Sequence, residues 1–198
     1  MKKTFLYPLS ILAFWGSILF FESCASLGIN SITTPNTKVL IQSERLSSIK
    51  LNQKKVLIAS FDSLAARDLV ISLKNYMDSE LTSCQVITKR INIRENEAQD
   101  IADFEKLKTE FQPDYILRID VNVKRTRDFY LIGDIVKKIR DIDFYLKLSS
   151  YSATTEPSEV WHGEVKIKHL YDEGHAATMK KSASQLRQKM QKDLIINQ

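Results

Sequence analysis

The sequence predicts an α/β domain of the α+β kind: a single mixed sheet of about five strands with helices packed on it, in the order β-α-β-α-β-β-β-α. Three observations lead there. A compact apolar run, Val56 to Phe61, is followed by apolar residues at helical spacing. Two segments, 115–124 and 142–148, alternate apolar and polar residues on either side of Gly133-Asp134. The last segment places Ala176, Met179, Ala183, Leu186, Met190 and Leu194 on one helical stripe.

The elements follow in order. Val56–Phe61 is apolar on both faces, as a strand inside a covered sheet must be. Asp62 is placed to cap the next helix, whose stripe is Ala66, Leu69, Val70, Leu73, Met77 and Leu81. Gln85 to Ile93 reads as a second strand, with Ile87, Ile91 and Ile93 on one face. Asp100 and Asp103 make an acidic start for a second helix. Ile101, Phe104, Leu107 and Phe111 form its stripe, and Pro113-Asp114 ends it. Lys38 to Gln42 can form a short leading strand, residues 43–53 read as irregular, and the domain is placed at 54–198.

The strongest local pattern lies in the middle of the chain. Tyr115, Leu117, Ile119, Val121 and Val123 alternate with charged and polar residues, and so do Ile142, Phe144, Leu146 and Leu148. With Gly133-Asp134 as a two-residue turn, Val123 faces Phe144, Val121 faces Leu146 and Ile119 faces Leu148. The same register sets Asp120 against Lys147 and Lys124 against Asp143, each opposite-charge pair adding about 0.2–1 kcal/mol. A long hairpin over 115–151 is the result. Its arms approach ~60 Å at ~3.3 Å per residue, so residues 125–141 are expected to project, bend or fold back. A short helix at Asp134–Ile142 is the competing expectation, because Ile135, Ile139 and Ile142 also fit helical spacing. Residues 152–159 are turn-rich. Trp161, Gly163, Val165 and Ile167 alternate as a further strand, and the closing helix shows a basic second face with Lys180, Lys181, Arg187, Lys189 and Lys192.

The first two dozen residues are of another kind. Lys2 and Lys3 precede an almost uncharged apolar run, Phe5 to Phe21, and then Phe21-Glu22-Ser23-Cys24. A basic start, an apolar middle and a small residue before the cut are the parts of an export signal. The run is interrupted by Pro8, Ser10, Gly16 and Ser17 and falls short of the roughly 20 residues of a spanning helix; an uncleaved membrane anchor is the alternative. Residues 1–23 are therefore assigned to a signal peptide and 24–53 to a modified cysteine with its tether.

Charge and composition narrow the function. The chain of 198 residues is 43% hydrophobic and 27% charged, with a net charge of +5, as a globular domain is. Setting aside Lys2, Lys3 and Glu22 leaves +4 on 175 residues, which suits anionic lipid or another acidic surface; in a cell envelope, nucleic acid is not an expected partner. The five glycines are scattered, so phosphate loops and dinucleotide fingerprints are excluded and no cofactor is expected. His162, His169 and His175 lack the spacing of a zinc site and read as solvent-facing residues on a sheet edge and at a helix start. Asp172-Glu173 reads as helix capping rather than as an acid/base pair. No catalytic or metal-binding residue is assigned. The one distinctive surface is the hairpin tip: Phe129, Tyr130, Leu131, Ile132, Ile135 and Val136, flanked by Arg125, Arg127, Lys137, Lys138 and Arg140. Apolar and arginine-rich patches of this kind occur at interfaces; folding of the tip over the domain is the other expectation.

Two resemblances add to this. Phe21-Glu22-Ser23-Cys24 resembles a bacterial lipobox in a relaxed form similar to that of spirochaetes. Ser23 and Cys24 fit, whereas Phe21 and Glu22 stand where the family prefers Leu and a small or apolar residue. The resemblance implies that Cys24 becomes a lipidated first residue, carrying acyl chains such as palmitate. With Ala25-Ser26 behind it, in place of an acidic retention residue, it implies the outer membrane. The order of elements, with Val56–Phe61 leading into 62–81, the step Phe111-Gln112-Pro113-Asp114-Tyr115-Ile116-Leu117, and Glu159-Val160-Trp161-His162-Gly163, is similar to small envelope lipoproteins. These are the penicillin-binding-protein activator and curli-secretion lipoproteins. What they imply is a fold and a non-catalytic binding or regulatory role toward an envelope protein partner. An assembly subunit of an envelope secretion or transport complex and an enzyme of unknown chemistry are the alternatives.

Overall fold

The computed structural model describes residues 36–61, 66–94, 97–131, 135–152, 157–171, 174–193 and 196, with backbone alone at 128–131 and 135–138. Cys24 and the leader lie outside the described residues, as do Ile132, the Gly133-Asp134 turn, Asp172-Glu173 and Leu194. Among the described residues no helix is long and apolar enough to cross a membrane.

The elements are β1 (Lys38–Arg45), β2 (Lys55–Phe61), α1 (Arg67–Ser83), β3 (Ile87–Ile93), α2 (Ala98–Phe111), β4 (Tyr115–Leu131), β5 (Ile135–Ser150), β6 (Glu159–Tyr171) and α3 (His175–Lys192). They build one mixed α/β sheet of six strands in the order β1-β6-β5-β4-β2-β3. β2 runs parallel to both β3 and β4, and the other neighbours are antiparallel. The expected count of about five strands is thus one short. The missing strand is β1, which reaches Arg45 and closes the β6 side of the sheet. Its burial is alternate and partial, a weak signal in sequence.

One face of the sheet holds the core. Val56 and Ile58 of β2, Leu117 and Ile119 of β4, Phe144 and Leu146 of β5, and Trp161 and Val165 of β6 form one cluster. Val70, Leu73 and Met77 of α1 join it with Met179, Ala183 and Leu186 of α3. The predicted stripe of α1 is buried in full; that of α3 is buried from Met179 to Met190, while Ala176 is exposed. Leu51, in the segment read as irregular, is fully buried in the same cluster. Trp161 lies over Gly163: a Cβ there would sit 2.5 Å from the indole, so the strand needs glycine at that position. The indole N–H donates to Asp193 just past α3, at 2.9 Å, and ties that helix end to β6.

α2 packs on the opposite face and only at the β2–β3 end. Phe104 meets Phe61 edge to face, with ring centroids 6.4 Å apart. Only Phe111 of its predicted stripe is buried, and Ile101 is 47% exposed. Ile87 is likewise 50% exposed at the start of the edge strand β3. A helix that leans on two strands at a sheet margin cannot bury a full stripe.

The hairpin exists, and β5 occupies the whole of 135–150, so the alternative helix at Asp134–Ile142 does not form. Its register differs from the expected one. Val121 faces Phe144, Ile119 faces Leu146 and Leu117 faces Leu148, a shift of two residues. The reason is at the far end: Leu131 pairs with Ile135, so three residues, not two, lie between the arms, and Lys124 is an extra residue on β4 between Val123 and Arg125. Each change moves the pairing by one residue. A shift of two preserves side-chain parity, so apolar still faces apolar. The expected Asp120–Lys147 and Lys124–Asp143 oppositions become Asp120–Tyr145 and Asn122–Asp143.

A second bulge faces the first. Between Arg140–Leu170 and Ile142–Ile167 the β5–β6 register also shifts. There His169 takes a left-handed backbone, with φ 58°, and its N–H donates to the Asp141 carboxylate at 2.9 Å. Bulges bend and twist the strands that contain them. Beyond this level β6 ends at Tyr171 opposite Ile139, and β2 has already ended at Phe61 opposite Asp120. Residues 128–131 and 135–138 continue as a two-stranded ribbon with no third strand beside it among the described residues.

Candidate functional site

Two surfaces stand out, and they adjoin. The first is the face of β4, β5, β6 and β1 that no helix among the described residues covers. Period-two alternation puts polar residues of β4, β5 and β6 there, with Gln42 and Glu44 of β1, and the register decides which of them meet. Asp143 is 5% exposed. It sits 2.5 Å from the Lys124 ammonium and accepts from the Tyr145 hydroxyl at 3.3 Å. The Lys124–Asp143 ion pair expected from sequence therefore forms, but diagonally, because Lys124 is the bulge residue. Lys166 reaches Glu164 at 2.7 Å on the same strand. His162 lies between Glu44, at 3.4 Å, and Glu159, at 3.1 Å. Arg118 pairs with Asp120 at 2.8 Å and stacks 3.8 Å from the centroid of Phe61. A shallow hollow of about 400 Å³ runs over Tyr145, Lys147, Glu159, His162 and Glu164. A smaller one of about 190 Å³ adjoins it over Gln42, Ser43 and Glu44.

The electrostatics follow from these contacts. The hydrogen bond and charge of Asp143 raise the Lys124 amine above its ordinary value, and Glu164 does the same for Lys166. Such a surface of alternating signs can match a patterned, oppositely charged partner. Among the described residues no group of three or more metal-ligating side chains converges. His162 is not on a sheet edge as expected, since β1 pairs beyond it; and His169, the other strand histidine, forms the bulge. Tertiary structure alone brings Glu44, from the unassigned segment, to His162, so this contact had no sequence signal beyond alternation in β6.

The second surface is the ribbon. Of the residues singled out in sequence, Phe129 pairs with Lys137, Tyr130 with Val136 and Leu131 with Ile135 at the end of the two arms. Ile132 and Cys24 lie outside the described residues. At the base of the ribbon, Arg125, Thr126 and Arg127 are exposed. The backbone of the described part of the hexad thus lies at the end of the two arms, which have no further sheet partner among the described residues.

No protein-family model matches the chain, and no curated protein matches it in sequence. Among solved structures, a PelC dodecamer from Paraburkholderia phytofirmans is similar at 13% identity and a TM-score of 0.48, over 81% of this chain and 100% of that one. A minor lipoprotein from Acinetobacter baumannii is similar at 15% identity and a TM-score of 0.33, over 75% and 98%. A neuraminyllactose-binding hemagglutinin homolog from Helicobacter pylori is similar at 11% identity and a TM-score of 0.36, over 76% and 89%.

Proposed function

We propose that this protein is a lipid-anchored lipoprotein of the cell envelope, held at the outer membrane through acyl chains on Cys24, and that it acts as a non-catalytic binding or regulatory module. Its contact surface is the β4–β5 ribbon, with Phe129, Tyr130, Leu131, Ile132, Ile135 and Val136 as contact residues. The observation that supports this most is the ribbon itself: two strands leave the sheet beyond Ile139 and Tyr171 with an apolar, basic-flanked segment at their end. The anchoring half of the reading rests on the basic, apolar and Ser23-Cys24 parts of the leader.

The test has two parts. Mass spectrometry of the mature protein should find Cys24 as the first residue with acyl mass; an intact Met1 ends the anchoring reading. A photocrosslinking amino acid at Tyr130 should label an envelope component in living cells far more than the same group at Lys106, a 72%-exposed position on α2. Equal labelling removes the ribbon as the contact surface.

A second reading, an assembly subunit of an envelope secretion or transport complex, is favoured by the sheet edges. β1 and β3 each have one unpaired side among the described residues, and Val39 to Ser43 has neither charge nor proline to block strand addition. Native mass spectrometry in detergent distinguishes a discrete oligomer from a monomer.

A further inference from the structure

We infer that the ribbon docks on the anionic surface of the same bilayer that holds the acyl chains, so that the domain is attached at two points. This deepens the proposed function and rests on its lipid-anchored reading.

The first argument is where the tether meets the domain. β1 begins at Lys38, paired with Lys168, and the Thr37 hydroxyl donates to the His169 carbonyl at 2.8 Å. The chain therefore enters beside the double bulge, at the end of the sheet from which the ribbon departs. From Asp141, at that level, to Ile135 is six strand steps, about 20 Å. From Cys24 to Thr37 is thirteen steps, which span at most about 47 Å. The tether outreaches the ribbon, so the tip and the acyl chains can meet one surface. Entry at the other end, level with Ser150, would have put fifteen steps, about 50 Å, between tether and tip. That would have left the tether, even fully extended, no slack to reach the level of the tip.

The second argument is charge and residue type. Residues 125–140 hold five basic and two acidic residues. Arg125 and Arg127 are exposed at the ribbon's base, and Lys38, Lys168, Lys180 and Lys181 are exposed on the strand ends and the first turns of α3 at this same end. Along β4 Phe129 and Tyr130 follow the arginines, and Lys137 of β5 pairs with Phe129, so basic and aromatic residues share the ribbon, the two types that membrane interfaces favour. The backbone sets the depth. A two-stranded ribbon has unpaired edges, which hydrocarbon does not tolerate, so the tip belongs in the headgroup region rather than across the bilayer.

The experiment uses the mature, full-length protein reconstituted into vesicles whose acyl chains are brominated. Trp161 is fully buried and Trp15 leaves with the leader, so Tyr130→Trp supplies the one reporter placed on the ribbon. In phosphatidylglycerol–phosphatidylethanolamine vesicles its emission should be quenched, and added salt should relieve the quenching. Arg125→Gln and Arg127→Gln should each lower the docked-to-free ratio about fivefold, as about 1 kcal/mol per basic residue implies. Val136→Trp, on the facing arm, repeats the measurement should the first variant fold poorly. Absence of quenching while Cys24 bears its acyl mass overturns the inference and leaves the anchor standing. Equal quenching in phosphatidylcholine vesicles, or a protein rather than a lipid crosslinked at Tyr130, overturns it as well. A missing acyl mass overturns the anchoring reading itself.

Discussion

The two halves of the β4–β5 hairpin are made from the same strands and follow opposite rules. Below the bulges, Leu117, Ile119, Phe144 and Leu146 are buried between the sheet and the helices α1 and α3. Each strand there has neighbours on both sides. Above the bulges, among the described residues, the arms pair only with each other beyond Ile139. The lower half holds the fold together, and the upper half is the part proposed to serve something outside it. The boundary is Asp141, which faces Arg125 on β4 and bonds the His169 N–H on β6. Apolar content does not tell the halves apart; the presence of adjoining strands and helices does.

Substitutions should separate the halves sharply. The largest loss is expected at Phe144→Ala, about 3–5 kcal/mol by urea unfolding, as for buried aromatic residues elsewhere. A loss of under 1 kcal/mol there would mean that the lower half is not the core. Gly163→Ala comes next, because its Cβ meets the Trp161 ring; overpacking of this kind costs about 1–3 kcal/mol, and near-ultraviolet circular dichroism should show the indole displaced. Asp143→Ala strips a buried carboxylate from Lys124 and Tyr145 and should cost about 1–3 kcal/mol. At the other extreme, Tyr130→Asp with Leu131→Asp should change stability by no more than about 0.5 kcal/mol while abolishing the docking of the ribbon and leaving the Cys24 anchor in place. Strong destabilisation by that pair would show that the ribbon belongs to the core.

Two pH effects are smaller and of opposite sense. Arg94 hydrogen-bonds Asp100 and holds its carboxyl below 3.8. The stability this adds is present above that ordinary value and disappears as pH falls through the folded one. Arg94→Gln should therefore flatten the acid limb of the stability profile. Lys124 is raised above 10.5 by Asp143. Its contribution is complete below 10.5 and is lost as pH climbs through the folded value. Asp143→Asn should remove that alkaline loss, as read by thermal unfolding on both sides of this range.

Much of the fold was legible because periodicity reports burial directly. The stripe from Ala66 to Leu81 and the alternation of β4, β5 and β6 each mark a face that must leave water, and the helices and strands follow. The hairpin was legible too, but not its register, since a three-residue connection and a bulge at Lys124 leave no distinct mark in a run of alternating residues. β1 was only half visible: an edge strand buries one side incompletely, and its pattern fades into the polar segment around it. The tip residues could be picked out by type. Their placement could not, because it depends on where β6 and β2 stop.

The chain alone determined the leader pattern around Cys24, the alternating faces and the pairing of two long arms, all of which arise from the order of residues along a few turns or strands. Only the folded sheet decided that β1 closes the β6 side, that Glu44 meets His162, and that Thr37 lies at the same end of the sheet as the base of the ribbon. Those facts join residues more than a hundred positions apart. No local preference encodes them; they come from burying one continuous apolar face of the sheet under two helices.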